Sequence, residues 1–210
     1  MNLRFEEEQK RERRVKTIKE SIRFLIEVVV VIFIAWLIIT FALKKVSVIG
    51  SSMETTLYNG EDVIVNKSSY LILSPRREHI VAFYPEPEEG EDIADMDDTV
   101  IRIRRIVGLP GEKIIIRDGK IYINGEELEE KYPFETMNSA GRAVSEIQLE
   151  EDEYFVLSDN RNDMDDSRNT SFTRIRKKNI IGKVILRLNP FSLLGGPEKT
   201  VETEETAKEE

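Results

Sequence analysis

Three short segments hold the side chains that could do chemistry. Residues 48–57 read VIGSSMETTL, a strand-like start running into a polar turn with two serines. Residues 103–112 read IRRIVGLPGE, and residues 158–168 read SDNRNDMDDSR. A serine hydroxyl becomes an effective nucleophile only when a neighbouring group takes its proton. Taken alone, Ser-Ser before a loop is ordinary turn chemistry. Composition closes off other routes. The chain has no cysteine and a single histidine, His79. That excludes a thiolate nucleophile, a disulfide framework and a metal site built from several His or Cys ligands. The acidic run 159–166 misses EF-hand spacing, with Arg161 at a ligand position and no glycine at the turn. It reads as a salt-bridged loop rather than a calcium-dependent surface module. A net charge of −9 disfavours broad nucleic-acid binding, which needs a basic face. No metal and no cofactor are expected.

The elements that must position these segments are read from apolar patterning. Residues 24–43 read FLIEVVVVIFIAWLIITFAL, enough to span a hydrocarbon core of roughly 30 Å. The run ends at Lys44-Lys45 without a small-residue cleavage site, so it reads as an uncleaved anchor in the lipid bilayer. The segment 1–23 before it is strongly basic, which keeps that end cytoplasmic and exports everything after Lys45. The expected division is a basic cytoplasmic segment 1–23, a transmembrane anchor 24–43, an extracytoplasmic domain 44–195 and an acidic disordered tail 196–210. Within the domain, strands are expected at 62–65, 80–83, 99–107, 113–116, 120–123, 154–157 and 181–188. They are rich in Val and Ile and punctuated by Asn59-Gly60, Pro110-Gly111, Asp118-Gly119 and Asn124-Gly125. Many short strands with such turns predict a mainly β domain, with a tight meander around 113–125. The acidic segment 85–98 reads as a solvated loop.

The order of the three segments resembles the type I signal peptidases, membrane-anchored serine proteases that remove signal peptides from exported proteins. The family pattern is an N-terminal anchor, then G-x-S-M-x-P-T-L, R-G-D-I-V-V-F, K-R-V-V-G-L-P-G-D and G-D-N-R-D-N-S-x-D-S-R. This chain supplies residues 50–57, 77–83, 104–112 and 158–168 in that order, with Asn124-Gly125 after the meander and N-I-x-G-K at 179–183. The resemblance spans roughly residues 24–188 and implies the antiparallel β-sheet fold of that family behind one transmembrane helix.

By position, the resemblance makes Ser52 the nucleophile. Its backbone N–H would help stabilise the oxyanion, where one donor contributes about 3–4 kcal/mol. Val46, Val48, Met53, Leu57, Ala82 and Ile103 fall where the family forms shallow apolar pockets for small side chains, the signal peptide lying extended between strands. Arg102 stands at a position the family often fills with an aromatic or apolar pocket wall. Arg105, Asp159, Arg161, Asp166 and Arg168 match charged residues that brace the site.

The family's general base, a lysine, is replaced by Arg104. Lowering a lysine from about 10.4 to near 8 costs about 3 kcal/mol, whereas bringing arginine, which starts far higher, to the same value costs roughly 8 kcal/mol. A guanidinium that stays protonated cannot accept the serine proton. The family's serine that orients the lysine falls at Met164, the Gly before Asp-Asn-Arg is Ser158, and the Pro after Ser-Met-x is Thr55. Lys45, Lys67 and Lys113 have no motif match as substitutes. His79 lies three residues before Ala82, so strand alternation turns it away from the pocket and makes it a structural histidine.

Two functions are consistent with these residues. The first is a family member with lost or weakened catalysis that binds signal peptides of exported precursors or assists pilus assembly, with pilins as partners. The second is a working signal peptidase I, a serine endopeptidase using Ser52 with a non-standard base. Both put the protein in the cell membrane as a single-pass protein with its main domain outside.

Overall fold

The computed structural model describes residues 2–87, 92–132, 134, 136–172 and 174–194. The tail expected at 196–210 lies outside them, as do residues 88–91 of the acidic segment. The chain divides into two compact units, Met1–Leu43 and Lys44–Glu210. In the first, α1 (Asn2–Ala42) runs through the basic segment as well as the apolar run. Its stretch Lys16–Ala42 is, among the described residues, the one helix long and apolar enough to cross a membrane.

The second unit is mainly antiparallel sheet, as the patterning predicts. Its strands are β1 (Leu43–Ser47), β2 (Asp62–Asn66), β3 (Ile80–Phe83), β4 (Arg102–Gly108), β5 (Lys113–Arg117), β6 (Lys120–Ile123) and β7 (Glu126–Glu127), then β8 (Ile147–Gln148), β9 (Glu153–Leu157), β10 (Ile175–Arg176), β11 (Ile180–Leu188) and β12 (Phe191–Leu193). The larger sheet runs β1-β2-β11-β3-β4-β9-β10, with β12 on β11; the smaller runs β7-β6-β5-β8. The meander takes its form from its turns. Asp118-Gly119 and Asn124-Gly125 have all four residues at positive φ, as two-residue type I′ hairpins require.

One boundary differs from expectation, and several short elements are additional to it. The strand expected from residue 99 begins at Arg102, because the Asp97 side chain accepts the Thr99 N–H at 2.8 Å and caps a 3-10 turn, Asp98–Val100. The short strands β7, β8, β10 and β12 and the helix α2 (Ser69–Ile72) carry too few residues for a readable period.

One apolar cluster lies at the centre of the larger sheet. Val46, Val48, Met53, Leu57, Val63, Val65, Ile80, Ala82, Ile101, Ile103 and Val184 pack together. It draws residues from β1–β4, β11 and the loop after β1, so that loop is anchored to the sheet. The register of β3 with β4 pairs Val81 with Arg104 and Ala82 with Ile103. This sets Ile103 and Arg104 at the middle of the large sheet.

Candidate active site

Ser52 lies in the loop between β1 and β2. The loop is closed at its base by Val48 N–H to Glu61 C=O at 2.8 Å and Gly60 N–H to Val48 C=O at 2.9 Å. Gly50, at φ +85°, turns its N–H to Asn59 Oδ1 at 3.0 Å. After Ser52 the chain coils back: the N–H groups of Thr56 and Leu57 both reach Met53 C=O, at 3.0 and 2.7 Å. Met53 and Leu57, 2% and 0% exposed, insert into the cluster beneath. Buried side chains on either side of the turn thus hold Ser52, itself 7% exposed, at a defined point.

The loop after β9 comes to meet it. Asn160 N–H donates to Ser52 C=O at 3.0 Å, and Ser52 Oγ donates to Asp163 Oδ2 at 2.7 Å. This loop is braced by the charged residues marked in the sequence. Asp166, fully buried, accepts from Ser158 N–H at 3.0 Å and from Arg168 Nε and Nη2 at 2.9 and 2.7 Å. Arg168 also donates through Nη1 to the carbonyls of Ser139 and Arg161, and through Nη2 to that of Asp163 at 2.9 Å. Arg161 forks onto Glu130 and donates to Ser158 C=O. The Glu130 pairing outweighs the downward pull of burial and raises the Arg161 pKa. Arg105 meets Asp159, whose Oδ2 also accepts from Thr56 Oγ1 at 2.6 Å. The five bracing residues therefore belong to one network that ties the Ser52 loop to the β9 loop.

Arg104 does not approach Ser52 as a proton acceptor would. It is 4% exposed, and its Nε and Nη2 donate to Asp165 C=O and Oδ2, each at 2.7 Å, while Nη1 donates to Ile103 C=O at 2.6 Å. Arg102 Nη1 takes the other oxygen of Asp165 at 2.6 Å, so this carboxylate joins two guanidinium groups. Burial lowers the Arg104 pKa from its ordinary value, and the nearby Arg102 charge adds to this; Asp165, Asp163 and Asp166 oppose both. A guanidinium begins so far above neutrality that such a group remains a cation in this carboxylate-rich setting.

Ser52, Arg104, Arg102 and Asp165 line one cleft of about 290 Å³ together with Val48, Met53, Ile101 and Ile103. Of the six residues expected to form pockets, Val48, Met53 and Ile103 line the cleft. Val46, Leu57 and Ala82 pack in the same apolar cluster without forming its wall. His79 is elsewhere, just before β3: its Nδ1 accepts from Arg76 N–H at 3.3 Å and lies 2.9 Å from Tyr70 OH. Burial, with the positive charges of Lys183 and Arg76, pushes its pKa down to about 4. Lys45 and Lys113 pair with Asp62 and Glu146, both at 2.9 Å or less. Among the described residues, no group of three or more metal-ligating side chains is arranged to hold an ion.

Sequence reasoning missed Asp163 and Asp165. Both lie in the acidic run read only as a salt-bridged loop. One signal was present: Asp163 stands where the family motif has Asn, in the same motif in which Met164 replaces Ser.

Known proteins resemble this chain over most of its length. The family model for signal peptidase, peptidase S26, matches residues 21–189. Signal peptidase I of Bacillus caldolyticus is 34% identical over 162 residues, covering 72% of this chain and 82% of its own. Probable signal peptidase I-2 of Synechocystis is 31% identical over 156 residues, covering 74% of this chain and 67% of its own. Signal peptidase IB of Staphylococcus aureus is 27% identical over 189 residues, covering 83% and 92%.

Proposed function

Because this chain belongs to the type I signal peptidase family, we propose that it recognises signal peptides of exported precursors in the Ser52 cleft and cleaves them weakly or not at all. The observation that carries the reading is Arg104. It stands at the family's base position, is buried, and is committed to Asp165 through two 2.7 Å hydrogen bonds. A serine–amine mechanism needs a neutral nitrogen beside the nucleophile, and a guanidinium in an ion pair offers none. Recognition does not need that nitrogen. Val48, Met53 and Ile103 supply an apolar wall to the cleft, and an extended peptide would lie against it with small side chains inward.

The setting we propose is the outer face of the cell membrane. Residues 1–23 would be cytoplasmic, 24–43 would span the bilayer, 44–195 would form the outer domain and 196–210 an acidic tail. The apolar stretch of α1 and the excess of Lys and Arg before it support this orientation. A reporter fused after Leu188 should be active only as an exported enzyme; cytoplasmic activity would reverse the topology. Pilins are the further partner class suggested by family members that assist pilus assembly.

The test of recognition uses the full chain in detergent and a labelled signal peptide with small residues before the cut. Wild type should bind it, and Ile103→Asp should weaken binding by about tenfold or more, since a charge enters an apolar site. Equal affinity for both proteins would remove the cleft as the binding surface. The second reading, a working signal peptidase with a non-standard base, is favoured by one observation: the 2.7 Å bond from Ser52 Oγ to a carboxylate.

A further inference from the structure

We propose that Asp163 takes the proton of Ser52, so that this chain carries a serine–carboxylate pair where its family carries a serine–amine pair. The inference rests on the reading of the cleft as a signal-peptide site and names the base that any Ser52-dependent hydrolysis there would use.

The geometry is that of a base already in place. Ser52 Oγ donates to Asp163 Oδ2 at 2.7 Å, within the range a general base needs. The other three polar handles of Asp163 are held by neighbours. Its N–H donates to Asn160 C=O at 3.0 Å, its C=O accepts from Arg168 Nη2 at 2.9 Å, and its Oδ1 accepts from Asp165 N–H at 2.9 Å. The oxygen facing Ser52 is thereby aimed by a third group, as in other activated serines. Arg104 takes a new part. By binding both the carbonyl and the carboxylate of Asp165, it fixes the residue whose N–H orients Asp163. It is a positioning residue, and the change from an amine to a guanidinium at 104 accompanies the change from an amide to a carboxylate at 163.

The step balances without any added reactant. As Ser52 Oγ bonds to the scissile carbonyl carbon, its proton passes to Asp163 Oδ2. The resulting carboxylic acid then gives that proton to the leaving amine as the C–N bond breaks, leaving an acyl ester on Ser52. Water attacks the ester, its proton goes to the same carboxylate, and the acid returns it to Ser52 Oγ as the C–O bond breaks.

A lysine base and a carboxylate base differ in their response to pH. An amine base must lose a proton and gains activity as pH rises, whereas a carboxylate base does not depend on that step. The experiment measures cleavage of a precursor peptide by the full chain in detergent from about pH 5.5 to 9, with peptide binding measured alongside. Wild type should show slow, Ser52-dependent cleavage whose rate stays within about threefold across this range. Asp163→Asn keeps an oxygen for the Asp165 N–H, so it should fold and bind peptide yet cleave at least about 100-fold more slowly. Asp163→Glu, which moves the same base by one methylene, should keep a measurable part of the rate and the flat profile. Binding with no Ser52-dependent cleavage in wild type, or with cleavage unchanged in Asp163→Asn, would overturn the role of Asp163 and leave recognition standing. A rate that climbs steeply toward pH 9 would also overturn it, since an amine would then be the base. Absence of binding would remove the recognition reading and this one together.

Discussion

Arg105 and Asp159 meet in a two-bond fork: Nε to Oδ1 at 2.8 Å and Nη2 to Oδ2 at 2.6 Å. Both side chains are withdrawn from solvent, Asp159 completely. The Arg105 guanidinium also stacks 3.8 Å from the Tyr132 ring centre, and Asp159 holds Thr56 of the Ser52 loop. Breaking one partner of a buried pair leaves an uncompensated charge, a loss of about 3–5 kcal/mol. Asp159→Asn should therefore lower the stability of the domain by that amount and loosen the Ser52 loop. Denaturant melts of the full chain would check this. A loss below about 1 kcal/mol would mean that the fork does little of the bracing.

Two positions depart from the family motif in ways that the backbone separates. Glu78, in the place of the family's glycine, has φ +69°, and Thr55, in the place of its proline, has φ +85°. Left-handed backbone costs an L-residue roughly 1–2 kcal/mol, part of which glycine gives back through unfolded-chain entropy. Glu78 uses its N–H toward Ile106 and its C=O toward Arg105, bonds that any side chain preserves. Glu78→Gly should thus stabilise the chain by about 0.5–1 kcal/mol. Thr55→Pro should do the reverse by at least about 2 kcal/mol, because proline holds φ near −65°. Matching shifts of the same sign in the two melts would contradict this.

His79 predicts an acid-sensitive window. Burial, with Lys183 and Arg76, pushes its pKa down to about 4 from an ordinary 6.5. Falling pH protonates the unfolded chain first, so the stability tied to His79 is full above about 6.5, declines between 6.5 and 4, and is gone below. Protonating Nδ1 would also break its bond from Arg76 N–H. The ring is partly exposed, so solvent screening makes the loss modest. His79→Gln should flatten the melting temperature between about pH 7 and 4.5 relative to wild type. An unchanged slope would assign the acid sensitivity to other groups.

Restoring the family's lysine at 104 should not restore its chemistry. With Asp165 in place, a lysine ammonium would keep the ion pair and stay protonated. Arg104→Lys alone should not raise cleavage, because the ammonium keeps the ion pair and loses the two-point grip on Asp165. Adding Asp165→Ala frees the amine and leaves Arg102 as a like charge that favours its neutral form. The double variant should gain more than the product of the single effects, with a rate rising above about pH 7. Strict multiplicativity in precursor cleavage would show that Asp165 does not hold the residue at 104.

Much of this protein is determined by local sequence. The apolar run of α1 and the bias of basic residues before it are properties of composition. The hairpins at Asp118-Gly119 and Asn124-Gly125 arise from residues that tolerate positive φ, and the longer strands from Val- and Ile-rich runs set off by turn residues. Motif order alone locates Ser52, Arg104 and the five bracing residues. Tertiary structure decided the rest. Ser52 and Asp163 are 111 positions apart, and which carboxylate of the run 159–166 reaches the serine depends on how that loop docks. Close together in sequence, Asp163, Asp165 and Asp166 are chemically alike. In the fold, one accepts from Ser52 Oγ, one bridges two arginines, and one is buried beneath Arg168. The physical reason is that a side chain's role is set by the partners it meets, and loops bring together partners that periodicity does not encode.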